Sequence, residues 1–194
     1  MLGGQTQIAS DVTLLGLAAL VVADRLAVAA FGGHARASGQ DRGTLMATNV
    51  ATIAAFGVAL AATLTGIAPL PGPAPLWLAL GFALTACGIT LRVWSIRTLG
   101  RFFVRVVQVD DGHQLVRSGP YAVLRHPSYA GVLLAYAGLG ISMGNAISTA
   151  SLAALPAVGY LWRIRVEEDA LRVALGVEYE AYASSTYRLI PGVW

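Results

Sequence analysis

The sequence predicts an all-α protein, a polytopic membrane helical bundle of about five spanning helices, and three observations carry that prediction. Apolar residues make up 56% of the chain and charged residues only 12%, with a mean hydropathy of +0.66. Soluble domains carry about a quarter charged residues, so this composition suits a bilayer. Apolar segments can be delimited one after another, the first three long enough for a span of about 20 residues. Basic loops alternate strictly with uncharged ones, the pattern that the positive-inside rule imposes on spanning helices.

The first segment runs from about Ile8 to Phe31 and is interrupted by Asp24 and Arg25. Those neighbours point about 100° apart on a helix and cannot pair directly. Arg25 is therefore read as an anchor that snorkels to the membrane surface. The second segment runs from about Thr44 to Ile67, and the third from Leu76 to Leu91 or a little beyond. The fourth, Tyr129 to Met143, and the fifth, Ile147 to Trp162, are shorter and joined only by Gly144-Asn145-Ala146. That connection predicts a tight antiparallel helical hairpin. Ala, Gly, Ser and Thr crowd every segment, and in lipid such small residues let helices approach closely.

The loops give the orientation. His34, Arg36 and Arg42 follow the first segment; Arg92, Arg97, Arg101, Arg105, Arg117 and Arg125 follow the third; Arg163, Arg165 and Arg172 follow the fifth. Leu70-Pro-Gly-Pro-Ala-Pro75 and the hairpin turn carry no charge. Five spans with the N-terminus outside satisfy this alternation and place the C-terminus on the cytoplasmic side. Met1 to Asp11 has no basic stretch, so the first segment is expected to be retained rather than cleaved. At 194 residues the chain reads as a single integrated domain in two parts. Residues 1–99 form a three-span membrane part, and residues 100–194 a loop, the hairpin and a cytoplasmic C-terminal helix.

Several function classes drop out. The net charge of +3 comes entirely from arginines scattered over segment ends, with no dense basic stripe for nucleic acid. Cys87 stands alone in an apolar run, which leaves no disulfide partner and no cysteine-ligated metal; it reads as a small core residue. The histidines, His34, His113 and His126, fall in loops or caps, which excludes haem on facing spans and a zinc site.

What remains is a polar cluster at the mouth of the bundle. Pro127 lacks a backbone donor and pushes His126 out of helical geometry, so a helix starts there with His126 as its cap. Its first-turn amides offer a site for a carboxylate, and Tyr121 and Tyr129 add hydroxyls and aromatic faces. The stretch from Gln108 to Val116 is too polar to span and is read as an ordered loop folding over the site. Beyond the fifth segment, helical spacing puts Arg163, Glu167, Leu171 and Leu175 on one stripe. Glu168 lies on the adjacent face, within reach of Arg172.

Together these runs closely resemble the isoprenylcysteine carboxyl methyltransferase family, which is related to the phospholipid N-methyltransferases. The resemblance covers about residues 100–191. It includes His113-Gln-Leu-Val116, Ser118-Gly-Pro-Tyr121, Arg125-His-Pro-Ser-Tyr-Ala-Gly131, Arg163 spaced before Glu167-Glu168, and Arg188-Leu-Ile-Pro191. It implies an integral-membrane methyltransferase using S-adenosylmethionine in a cytoplasmic pocket. By motif match, Gln108, His113, Gln114, Leu115, Val116, Tyr121, His126, Pro127, Ser128, Tyr129 and Glu167 contact the cofactor. Arg163 faces the methyl acceptor, and Arg163, Glu168 and Arg125 are the catalytic candidates.

The acceptor expected from the resemblance is the carboxylate of an isoprenylcysteine-like or other lipophilic substrate entering from the bilayer. N-methylation of an amino-phospholipid and S-methylation of a small thiol remain as alternatives. An amine acceptor needs a base, for which Glu168 and His126 are available. Outside enzymes, a non-catalytic membrane scaffold or a lapsed enzyme stays open.

Overall fold

The computed structural model describes residues 41–103 and 115–194, together with 15–16, 26–27 and 29–31 of the first apolar segment. The described residues are helical almost throughout, with two isolated bridges and no strand. Helix α1 spans Thr44–Thr65, α2 Ala74–Leu99, α3 Pro127–Ser142, α4 Ala146–Leu175 and α5 Val177–Ser185. Short 3-10 turns at Gly100–Phe102 and Gly119–Ala122 follow α2 and precede α3. Most of the first segment lies outside the described residues, as do Asp24 and Arg25; Ala27 packs against Ile96 and Phe103.

Each boundary has a local cause. Threonine hydroxyls of α1 bond back to carbonyls one turn earlier, Thr48 to Thr44 and Thr63 to Ala59, so polar groups in an apolar helix are satisfied internally. Pro73 stands at the N-cap of α2 and Pro75 in its first turn, where a missing N–H costs nothing. Pro127 opens α3 behind His126, as the sequence predicts. Asn145 caps α4 by accepting the Ser148 amide at 3.0 Å. The predicted hairpin is therefore α3 and α4, but its second arm does not stop at Trp162. It continues as one 30-residue helix to Leu175, carrying the polar stripe on the same rigid rod. Gly176, at φ 52°, ends α4 and turns the chain into α5.

The bundle packs α2 on α3, α1 on α4, and α3 on α4. Glycines set the first of these contacts. A Cβ at Gly88 would stand 2.5 Å from the Gly131 carbonyl oxygen, and one at Gly138 would stand 2.6 Å from the Thr85 amide. Gly81 and Gly88 recur at the same interval as Gly131 and Gly138, so backbone meets backbone twice along the seam. Replacing Gly88 by Leu must push the helices apart, costing about 3 kcal/mol. The expected result is a clear fall in detergent melting temperature. Cys87→Leu is the control, because Cys87 faces outward. That exposure corrects its reading as a core residue: in lipid the outward face is as apolar as the interior, so hydropathy does not tell them apart.

The outer surface carries Met46, Ile53, Leu80 and Val158 exposed, which suits hydrocarbon. Among the described helices, α1 and α2 are long and apolar enough to cross a bilayer, with mean hydropathies of 1.8 and 1.7. At one end of the bundle the turns are joined to each other. The Leu70 amide donates to Gly144 at 2.8 Å and the Ala146 amide to Ala68 at 2.9 Å. The polar residues gather at the other end.

Candidate active site

The N-termini of α1 and α3, the C-terminal part of α2 and the middle of α4 meet at that polar end. Their side chains form two clusters joined by one imidazole. In the first, the Tyr129 hydroxyl donates to Glu167 Oε2 at 2.7 Å and accepts from Arg163 Nε at 2.8 Å. Arg163 and Glu167 sit one turn apart on α4, as their spacing predicts, and the tyrosine bridges them. Arg163 Nη1 also donates to Asp41 Oδ1 at 2.9 Å and to Thr44 Oγ1 at 3.2 Å. The ring of Tyr129 stacks on His126, with centroids 5.5 Å apart and planes 2° from parallel, and lies 5.0 Å from Tyr160. Arg163 is buried, whereas the Glu167 side chain keeps 31% of its surface exposed. Of the two carboxylates at this point of α4, Glu167 is the one a ligand can reach.

The second cluster surrounds Glu168, which is 1% exposed. Its oxygens receive Arg125 Nε at 2.9 Å, Arg172 Nη2 at 3.2 Å and Arg188 Nη2 at 3.0 Å. His126 Nε2 lies 3.3 Å away on the same carboxylate, while His126 Nδ1 is 3.8 Å from Glu167. Burial by itself raises the Glu168 pKa. Hydrogen bonds from His126, Arg188 and Arg125 outweigh it and hold the carboxyl well below the usual carboxylate range. Arg125 is committed as well, donating to the Ala183 carbonyl at 2.6 Å and to the Thr186 carbonyl.

The C-terminal residues close this end. The Arg125 amide donates to the Tyr187 carbonyl at 2.7 Å, the His126 amide to the Arg188 carbonyl at 3.1 Å, and the Tyr187 amide to Val123 at 3.0 Å. The Tyr182 hydroxyl donates to the Tyr121 carbonyl at 2.8 Å, fixing the turn before α3. Tyr121 is buried beside the site. Burial pushes its phenol well above the ordinary value, and the Glu167 charge adds to that. The Tyr179 hydroxyl is fully buried and has no hydrogen-bond partner among the described residues.

Of the residues singled out in the sequence, Tyr121, His126, Tyr129, Arg163 and Glu167 come together here. Pro127 and Ser128 are buried at the start of α3, and Ser128 Oγ accepts from Arg92 at 2.9 Å. Leu115 and Val116 are half-buried in the segment leading in. Gln108, His113 and Gln114 lie outside the described residues. Glu168 and Arg125, the other catalytic candidates, lie together in a buried ionic hub. A carboxylate already gripped by three guanidinium groups has poor basicity and no open face. Asp41 and Arg92 were missed because each lies far along the chain from the motifs it contacts, and charges near span ends are read as anchors.

Three comparisons bear on this geometry. The sequence profile of the isoprenylcysteine carboxyl methyltransferase family matches residues 79–173. Protein-S-isoprenylcysteine O-methyltransferase A of Arabidopsis thaliana is 33% identical over 134 residues, covering 67% of this chain and 68% of that protein. A probable protein-S-isoprenylcysteine O-methyltransferase of Oryza sativa subsp. indica is 32% identical over 113 residues, covering 57% of this chain and 59% of its own length. The chain thus spans less than two thirds of the rice protein. The fold is similar to a solved structure of the eukaryotic intramembrane Ras methyltransferase, an isoprenylcysteine carboxyl methyltransferase. Its TM-score is 0.58 at 25% identity, over 82% of this chain and 55% of that one.

Proposed function

This chain belongs to the isoprenylcysteine carboxyl methyltransferase family, and on that premise we propose that it methylates the carboxylate of a lipophilic, isoprenylcysteine-like acceptor. S-adenosylmethionine is the proposed donor. The observation that carries the proposal is the Tyr129 hydroxyl held between Glu167 and Arg163: one phenol fixes an anion for the donor next to a cation for the acceptor.

The donor set fits that cofactor. Glu167 is half-buried and held at one oxygen, which suits an ammonium. The stacked rings of His126 and Tyr129 offer flat apolar surface, and the Tyr179 hydroxyl, buried with no hydrogen-bond partner among the described residues, is a donor of the kind a polar ligand satisfies. Gln108, His113, Gln114, Leu115, Val116, Tyr121, Pro127 and Ser128 complete the proposed cofactor contacts by motif. When bound, the cofactor supplies a methyl group on a sulfonium, whose charge is dispersed in the transition state, so a dry site favours the reaction.

The protein's own task is positioning, which contributes about 7–11 kcal/mol in well-oriented systems. Arg163 orients the acceptor carboxylate with its planar guanidinium. A carboxylate is already nucleophilic, so no base is required. The geometry favours it over an amine acceptor, because Glu168, one of the bases an amine would need, is buried and saturated by cations.

We place five spans in the bilayer, N-terminus outside, with residues 1–99 and 100–194 as interlocked parts of one domain. The clustering of arginines at the site end supports a cytoplasmic pocket, and Trp94 and Trp162, both exposed near it, suit the interface. The acceptor tail enters from the bilayer.

The test is transfer of a tritiated methyl group by detergent-purified protein, offered N-acetyl-S-farnesylcysteine, phosphatidylethanolamine and a small thiol side by side. A base-labile methyl ester on the first supports the assignment. Base-stable label on the amine or thiol overturns the carboxylate assignment, and no label on any acceptor favours a lapsed enzyme.

A further inference from the structure

Asp41 precedes α1 and lies well before residues 79–173, the part matched by the family profile, yet it reaches the centre of the site. Its carboxylate divides its two oxygens. Oδ2 accepts the Leu45 amide at 3.0 Å in the first turn of α1, while Oδ1 accepts Thr44 Oγ1 at 3.0 Å and Arg163 Nη1 at 2.9 Å. The side chain is only 13% exposed. One oxygen thus anchors the group to a helix end, and the other aims at the guanidinium.

A guanidinium is planar, so two fixed contacts define its plane. For Arg163 these are Tyr129 Oη on Nε and Asp41 Oδ1 on Nη1, and Thr44 Oγ1 braces the second. Tyr129 belongs to α3, Asp41 and Thr44 to the start of α1, and Arg163 to α4. The orientation of the cation therefore depends on the packing of three separate elements. Without Asp41 the guanidinium keeps its charge but loses one of the contacts that set its plane.

We propose that Asp41 is a positioning residue for methyl transfer: it sets the plane of the Arg163 guanidinium for the acceptor carboxylate. This rests on the reading of Arg163 as the acceptor clamp. It predicts that Asp41 governs turnover rather than donor binding, since it contacts Arg163, whereas Glu167 is held by Tyr129.

The test uses the full chain in detergent, with Asp41→Ala, Asp41→Asn and Asp41→Glu. Methyl transfer to N-acetyl-S-farnesylcysteine gives kcat and the acceptor KM; calorimetry with S-adenosylhomocysteine gives donor-site affinity, and melting reports the fold. Loss of alignment is expected to lower kcat about tenfold to a hundredfold in the Ala and Asn variants, with donor-site affinity within about threefold of wild type. Glu, which retains the charge, recovers part of the turnover. The Asn variant is nearly isosteric and keeps the test open should Ala fail to fold. Wild-type kcat in folded Asp41→Ala or Asp41→Asn overturns the proposal. So does a parallel fall of kcat, donor-site affinity and melting temperature, which marks Asp41 as a helix cap alone. Arg163→Ala separates the two readings. If that variant is fully active the clamp itself is wrong; if it is inactive while the Asp41 variants are normal, only the positioning role fails.

Discussion

Arg163→Ala is expected to cut methyl transfer to a prenylcysteine carboxylate about a hundredfold, the scale for losing a charge-stabilising group in a dry site. Binding of S-adenosylhomocysteine should stay within about threefold, because Glu167 and Tyr129 remain. The buried guanidinium is bridged to the partly exposed Glu167 through Tyr129. Removing it deprives the acceptor of its orienting partner and Asp41 of its ion pair with Arg163, so melting must be followed in parallel. Arg163→Lys preserves charge without the planar fork and should recover only part of the turnover. Wild-type kcat in the Ala variant would contradict the acceptor role.

The second large effect is on stability. Glu168→Gln removes the one anion shared by Arg125, Arg172, Arg188 and His126. Breaking a buried ionic cluster by deleting one partner costs about 3–5 kcal/mol, which for a chain of this size lowers the melting temperature by about 10 °C. The cluster ties α4 to the turn before α3 and to the C-terminal tail through Arg188, so limited proteolysis should cut the tail first. The same hub predicts acid sensitivity. The Glu168 pKa is lowered in the folded state, so the folded chain keeps this carboxyl ionised where the unfolded chain takes up a proton. Its contribution is complete above about pH 5 and is lost as the pH falls through the ordinary carboxylate range and below. Melting temperature against pH should flatten over that range in Glu168→Gln. A variant with wild-type stability and an unchanged acid limb would remove Glu168 from the account of the fold.

Much of this was legible in the sequence, for identifiable reasons. Pro127 announces a helix start because proline constrains both itself and the residue before it, and α3 begins there. The four-residue spacing of Arg163 to Glu167 and of Glu168 to Arg172 places each pair on a common face: Glu168 pairs with Arg172 directly, while Arg163 and Glu167 are joined through Tyr129. What spacing does not contain is which neighbouring carboxylate faces inward. Glu167 and Glu168 differ by one position, about 100° around the helix, and only the packing of α5 and the tail against α4 decides that Glu168 is the buried one. Long-range partners were likewise hidden. Asp41 meets Arg163 and Arg188 meets Glu168 across elements whose neighbours a sequence does not declare. The outward turn of Cys87 has a different cause, since a membrane helix is apolar all round and loses the polar stripe that marks the surface of a soluble one.

The most direct measurement is calorimetric titration of S-adenosylhomocysteine into detergent-purified wild-type protein with Glu167→Ala alongside. Wild-type binding that the folded variant loses is the predicted result, since the carboxylate proposed to hold the ligand's ammonium is gone. Equal affinity in the two proteins would contradict the role assigned to Glu167, and no binding by well-folded wild type would contradict the methyl-donor site itself.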